Sequence, residues 1–295
     1  MTTMTTELFA VQPVCSQPAG FVFGDGRYRV IVAGDVETRE RAYQLVYQAY
    51  REKGYANANP AEMWVTKYDA LPETVTFLVE ADEQPVGALT LLPDSPVGLA
   101  ADGLYKEEVD GLRAQGCRLA ELISFAVKCN SRDIRVVAML FNVVYSYAYR
   151  VANLTDFVLT VTPQHARFYR KALLSQNFGP PRSHARVNDT TGCAERISLR
   201  MAEEYSGYAH STSEEERAIA RPTLYRLFLS PAEESMFVAM ARQAANPMTR
   251  EETAYFFAGQ PDVLAELNRY NWQSKRQTPG ADDALGAHLA GYCAC

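Results

Sequence analysis

At 295 residues the chain is long enough for one large domain, or a domain with an appendage, around an ample core. Its 47% hydrophobic and 22% charged residues are ordinary for a globular protein, and a net charge of -6 argues against nucleic acid as the main partner, because neutralising phosphates needs a basic face. Met1-Thr-Thr-Met-Thr-Thr-Glu-Leu8 lacks the basic and apolar regions of a secretory signal, and no apolar run approaches the ~20 residues of a membrane span. Cys15, Cys117, Cys129, Cys193, Cys293 and Cys295 show no paired metal spacing, and the two at the end are too few to close a metal site. A cytoplasmic protein with reduced thiols and no bound metal is expected.

Residues 1–20, with Pro13, Pro18 and Gly20 and no periodicity, read as a flexible arm. Tyr28-Arg-Val-Ile-Val32 reads as a strand, and Glu37 to Lys53 as a helix with Tyr43, Val46, Tyr47 and Tyr50 at helical spacing and Gly54 as terminator. Thr74–Glu80 and Pro85–Leu92 form a hairpin around the polar turn 81–84. A helix near Lys106–Gln115 is closed by Gly116, and the strand Leu119–Val127 follows. Then come a helix over 134–152, a strand over 157–161, a helix opening at Thr162-Pro-Gln-His165, and an alternating strand over 194–200. Beyond Met201, Ser230-Pro-Ala-Glu233 and Thr249-Arg-Glu-Glu252 are capping boxes opening helices, and a third helix is expected over 263–270. The organisation predicted is a main domain over 21–202, a helical extension over 203–272 and a mobile tail over 273–295.

The chemistry concentrates between Leu119 and Phe178, where the pattern strand, helix, strand, helix brings an acid, a histidine and a tyrosine to one region. Glu121 stands alone in an apolar strand. Burying an ionised carboxylate is costly without a partner, so Glu121 is either a base that receives or orients an amine, or a structural acid paired with an arginine such as Arg118. His165 is expected to shape the pocket from a helix start, with a direct base role as the alternative. The stripe Phe141, Tyr145, Tyr147, Tyr149 is core packing or the wall of an acyl tunnel, where each methylene contributes ~0.8 kcal/mol and so selects chain length.

The element order over Tyr28–Met201 resembles the Gcn5-related N-acetyltransferase (GNAT) fold, in which two central parallel strands splay around the donor thioester. Phe168-Tyr169 through Phe178 is similar to its Phe-Tyr…Gly-Phe signature, with Asn177 in the glycine's place, a residue that also tolerates positive φ. Acetyl-CoA enzymes of this fold carry a glycine-rich pyrophosphate turn after the first splayed strand. Here Cys129-Asn-Ser-Arg-Asp-Ile-Arg135 contains no glycine, which favours a donor with a single phosphate, the phosphopantetheine thioester of acyl carrier protein. Glu121-Leu122 with Phe125 resembles the Glu-[Ile/Leu]-Ser-Arg-[Phe/Leu] strand shared by acyl-homoserine-lactone synthases and long-chain N-acyl amino acid synthases, with Ser124 in the arginine's place. Leu104–Gly116, Val161-Thr-Pro-Gln-His165 with Phe168-Tyr169, and Val187-Asn188 followed by Ala194 resemble the N-acyl amino acid synthases, the family that includes N-acyltyrosine synthase. Of the residues with which lactone synthases hold S-adenosylmethionine, the chain keeps Asp69 and lacks most of the rest.

The resemblance implies an α/β GNAT-like acyltransferase, with a mixed central sheet, splayed parallel strands, flanking helices and a C-terminal helical extension. It implies transfer of a long-chain acyl group from acyl carrier protein to the α-amine of an amino acid, tyrosine favoured, with no tightly bound cofactor. Glu121 would take the amine proton, Tyr169 would donate to the departing sulfur, and backbone amides of Phe125, Ala126 and Val127 would hold the oxyanion. Arg132 or Arg135 would contact phosphate or carboxylate, Phe141, Tyr145 and Phe168 would line the acyl site, and Arg150, Arg167, Arg170 and Lys171 would form a docking face for an acidic carrier. The alternatives are lactone synthesis and a non-catalytic module that binds acyl lipid or carrier protein.

Overall fold

Short polar breakers between apolar runs give this chain its sheet. The computed structural model describes residues 20–23, 26–128, 134–184 and 189–269. The arm before Gly20 and the tail after Arg269 lie outside them. Strands β1 (Gly20–Phe23) and β2 (Tyr28–Val32) lead into helix α1 (Val36–Glu52) and a 3-10 turn at Lys67–Ala70. Strands β3 (Val75–Ala81) and β4 (Gln84–Pro93), helix α2 (Asp102–Ala114), strand β5 (Leu119–Val127) and helix α3 (Ile134–Arg150) follow. Strand β6 (Asp156–Val161), helix α4 (Pro163–Ala172), and strands β7 (Gln176–His184) and β8 (Thr190–Ser198) complete the sheet, in the order β1-β2-β3-β4-β5-β6-β8-β7. Helices α5 (Leu199–Ala209), α6 (Glu214–Ala220), α7 (Pro231–Ala244), α8 (Arg250–Phe256) and α9 (Pro261–Arg269) come last. This is the expected GNAT-like architecture: the pairings are antiparallel except β5–β6, which is parallel.

Local chemistry accounts for the elements. Asp35 caps α1, its Oδ1 accepting the Thr38 N–H at 2.9 Å, and Gly54 leaves the helix at φ 72°. The β3–β4 hairpin turns at Asp82 and Glu83, both at positive φ (50° and 63°), as a two-residue turn matched to strand twist requires. Gly87 on β4 sits where a Cβ would meet Val136 at 2.8 Å, so its hydrogen lets α3 lie close on the sheet. Both expected capping boxes are present: Ser230 and Thr249 accept the N–H of Glu233 and Glu252, whose carboxylates reach back.

Some expectations are corrected. Gly20–Phe23 is an edge strand that the sequence reading did not single out. The segment 176–184 is also a strand, on the opposite edge, with register breaks around Gly179, Pro180 and Pro181. An edge tolerates prolines because its outer N–H groups need no ladder partner. Asn177 is not at positive φ; the left-handed residue after α4 is Leu174, at φ 58°. Arg118 does not pair with Glu121: its guanidinium bonds the side chain and backbone of Asn153.

The sheet buries both faces. On one, Phe77, Leu89, Ala120 and Leu122 pack with Leu140, Val144 and Phe141 of α3, Tyr169 of α4 and Phe237 of α7. On the other, Leu92, Leu119 and Val158 pack with Tyr43 of α1, Tyr105 and Val109 of α2, and Phe256 and Leu267 of α8 and α9. Each such side chain fully buried contributes about 1.5–3 kcal/mol. The helices after β8 are therefore integral to both layers. No helix among the described residues is long and apolar enough to cross a membrane.

Candidate active site

The site begins where the two parallel strands part. β5 and β6 pair at Leu119–Asp156, Ala120–Phe157 and Glu121–Val158, and no further. Beyond Glu121 the strand is kinked. Thr90 pairs with Ile123 but Ala88 with Ala126, so β5 carries an extra residue there, and Ser124 stands at φ 53°. A bulge adds twist and bends its strand, which here carries Phe125–Val127 away from β6.

A cavity of about 1220 Å³ occupies the gap. That exceeds the roughly 300–1,000 Å³ of a single-ligand pocket and leaves room for two substrates. It passes through the sheet. The neighbours of Glu121 two residues away, Leu119 and Ile123, pack on the α1–α2 face, whereas Ala120 and Leu122 pack under α3. Glu121 thus belongs to the α1–α2 side, while Phe125, Val137, Phe141 and Tyr169 line the cavity from the α3–α4 side.

Glu121 is buried, and its Oε2 accepts the backbone N–H of Ala101 at 2.7 Å. That amide opens α2, where the helix dipole favours negative charge. The turn is itself fixed. Asp102 accepts the Leu99 N–H at 2.7 Å, and Arg113 grips both Asp102 and Asp94 through paired contacts of 2.7–2.9 Å. One partner of the buried Glu121 is thus a helix start locked by an arginine further along the same helix.

Tyr169 is buried against Phe141 (ring centroids 5.5 Å apart), and burial raises its phenol well above the usual value, so it is a neutral O–H donor. His165 lines the cavity half-buried, held below its ordinary imidazole range by burial and by the charge of Lys53. The N–H of Lys128 is engaged by Val86 O at 2.9 Å, so by strand alternation the N–H of Val127 points the other way, into the gap. Ala126, two residues before Lys128, turns its amide toward β4. Ser124 lines the cavity, and its buried Oγ, like that of Thr160, has no hydrogen-bond partner among the described residues.

Other expected residues stand elsewhere. Tyr145 does not line the cavity: its hydroxyl bonds Glu203, and its ring lies between Tyr149 and Phe228. Phe168 is exposed beside Tyr169, and Arg135 lies over the Tyr28 ring at 5.4 Å. Arg132 lies outside the described residues. Of the four basic residues, Arg150 bridges Glu203 and Glu234, and Arg170 closes on the fully buried Glu195, leaving Arg167 and Lys171 exposed. Among the described residues no cluster is arranged to hold a metal ion.

The family model of the N-acyl amino acid synthase FeeM matches residues 41–198, just over half of this chain and all of the splayed-strand region. The chain belongs to the FeeM family of N-acyl amino acid synthases. It is accordingly an N-acyltransferase. The solved structure of FeeM, from uncultured soil microbes, is 23% identical, covers 59% of this chain and 92% of its own, and superposes with a TM-score of 0.52. The AHL synthase LasI (20% identical, 58% and 90% covered, TM-score 0.44) and the CoA-dependent acyl-homoserine lactone synthase BjaI (13%, 70% and 96%, 0.45) are more distant in fold. No curated protein matches the chain in sequence.

Several residues of the site and its supports were not singled out from the sequence. Ala101 and Arg113 act at a distance along the chain; Arg113 sits inside the Leu104–Gly116 segment that resembled the family, which was its only signal. Tyr50, Tyr55 and Trp64 form an aromatic group on the α1 side, with Tyr50–Trp64 centroids 5.0 Å apart. Phe256, Val263 and Glu266 reach the cavity from α8 and α9, beyond the segment that the FeeM family model matches.

Proposed function

We propose that this enzyme transfers a long-chain fatty acyl group from acyl carrier protein to the α-amine of an amino acid, with tyrosine the favoured acceptor. The observation that carries the reading is the end of β5–β6 pairing at Glu121, where a cavity opens through the sheet. The apolar α3–α4 side suits the acyl thioester, and the Glu121 side suits the amine. The aromatic group of Tyr50, Tyr55 and Trp64 supports an aromatic acceptor. The absence of glycine from the sequence 129–135 favours a carrier-bound donor, and the exposed Arg167 and Lys171 suit an acidic carrier.

In the proposed reaction the amine nitrogen attacks the thioester carbon and loses a proton to Glu121. The N–H of Val127 faces the developing oxyanion. Collapse breaks the carbon–sulfur bond, and the thiolate takes a proton from Tyr169, leaving an amide and a free thiol. Lipid extracts of a host expressing the chain are expected to contain N-acyl amino acids by mass spectrometry. With purified protein, acyl carrier thioesters should outpace the matching CoA thioesters. Lactone formation from S-adenosylmethionine, or carrier binding without acylation of any amine, would overturn the proposal.

A further inference from the structure

The acceptor side of the cavity is finished by a part of the chain that the family model does not reach. Helix α8 is anchored on α1: Arg39 Nη1 meets Glu252 Oε1 at 2.7 Å with both side chains nearly buried, and Phe256 stacks edge-on against Tyr43 at 5.3 Å. Helix α9 then lies beside the 3-10 turn at Lys67–Ala70, and its Val263 and Glu266 line the cavity. One ion pair joins these two elements at the cavity wall, Lys67 Nζ to Glu266 Oε1.

Among the described residues two lysines line the cavity, Lys53 and Lys67. Lys53 is exposed and acts electrostatically on His165, at the start of α4. Lys67 is half-buried, lies over the Tyr68 ring at 5.5 Å, and shares the Glu121 side of the sheet with Tyr68. Asn59 also lines the cavity, with its Oδ1 buried and without a hydrogen-bond partner among the described residues. Lys67 therefore offers an acceptor whose amine faces Glu121 a half-buried ammonium on the same side of the sheet. Glu266 already shows which chemistry that ammonium accepts.

We infer that Lys67 anchors the carboxylate of the acceptor and that Glu266, carried by α9 of the C-terminal extension, competes with that carboxylate for it. The inference rests on the proposed acylation of an amino acid and adds the residue that selects for an acid. Helix α9 thereby becomes a specificity element: its glutamate lowers the affinity for every acceptor bearing a carboxylate and leaves plain amines untouched. The Lys67 ion pair is partly solvated, so its effect is that of a charge-assisted hydrogen bond rather than a fully buried pair.

The test compares two acceptors that differ only in having the carboxylate or a hydrogen on the α-carbon, using the full-length chain and one acyl thioester. The readout is the ratio of kcat/KM for the acid to that for the plain amine. Wild type should favour the acid. Lys67→Met should shrink that ratio about 10-fold or more, and Lys67→Arg should keep most of it. Glu266→Gln should raise the ratio, through a lower KM for the acid. A ratio unchanged in Lys67→Met, with amines still acylated and melting like that of wild type, overturns the assignment alone. So does a Glu266→Gln enzyme that loses activity equally toward both acceptors, the mark of a merely structural pair. If no amine is acylated from any thioester, the functional reading falls first and this one with it.

Discussion

Glu121 and His165 place opposite demands on their surroundings. Glu121 needs its charge supported inside the fold, and the Ala101 amide at the start of α2 contributes to that support. Glu121→Gln keeps an oxygen for the same amide and the same volume, so the fold should survive while the proton acceptor is lost. A fall in kcat of ~10²-fold or more is expected if the carboxylate is the general base, and a near-normal rate in a folded variant would remove it from the mechanism. His165 is the reverse case, since burial and Lys53 both disfavour its imidazolium. Its folded value lies below the ordinary 6.5, so the unfolded chain takes up that proton first as the pH falls. Stability should therefore decline as pH drops below about 6.5 and level off once the folded value is passed. Melting temperatures of wild type and His165→Gln, taken on both sides of that window, should show the glutamine variant losing less on acidification.

Elements whose cause is local were legible in the sequence, and those whose cause is tertiary were not. Gly54 ends α1, and the boxes at Ser230 and Thr249 start α7 and α8, because each is a signal carried by residues close together in the chain. Strand β7 was hidden by Pro180-Pro181, which a central strand excludes and an edge permits. The side facing of α3 was only half readable. Phe141 and Tyr145 fall four residues apart on one helical stripe, but the cavity ends at Phe141, and Glu203 and Phe228 claim Tyr145. The lone acid in an apolar strand was evident, whereas its support came from Arg113, eight residues before it, acting through the first turn of α2. That link is open to test. Arg113→Met leaves Asp94, Asp102 and Asp110 without their shared cation at a half-exposed site, which should cost about 1–3 kcal/mol. It should also lower kcat, because the Ala101 amide loses its fixed position. Stability that falls while kcat holds would mean that α2 steadies the fold but does not set Glu121.

Across the whole molecule, the extension closes around the sheet from both faces. Helices α5 and α7 clasp α3 through Arg150, which bridges Glu203 and Glu234, while α8 and α9 cover α1 and complete the acceptor wall. The second contact includes a nearly buried ion pair. Arg39 and Glu252 retain only 5% and 11% of their side-chain exposure, and Arg39 also donates to the Asn246 carbonyl. Removing one member of such a pair strands the other charge inside the protein, so Arg39→Met should destabilise by about 3–5 kcal/mol. Adding Glu252→Gln should recover part of that loss, because no charge is then left stranded, and a double-mutant cycle measures the coupling. The consequence for catalysis is directional. The wall carrying Phe256, Val263 and Glu266 is anchored by this ion pair, whereas Phe141 and Tyr169 are not, so the single variant should raise KM for the acceptor far more than KM for the acyl donor. Equal rises in both would show that α8 and α9 brace the fold as a whole and do not shape the acceptor side.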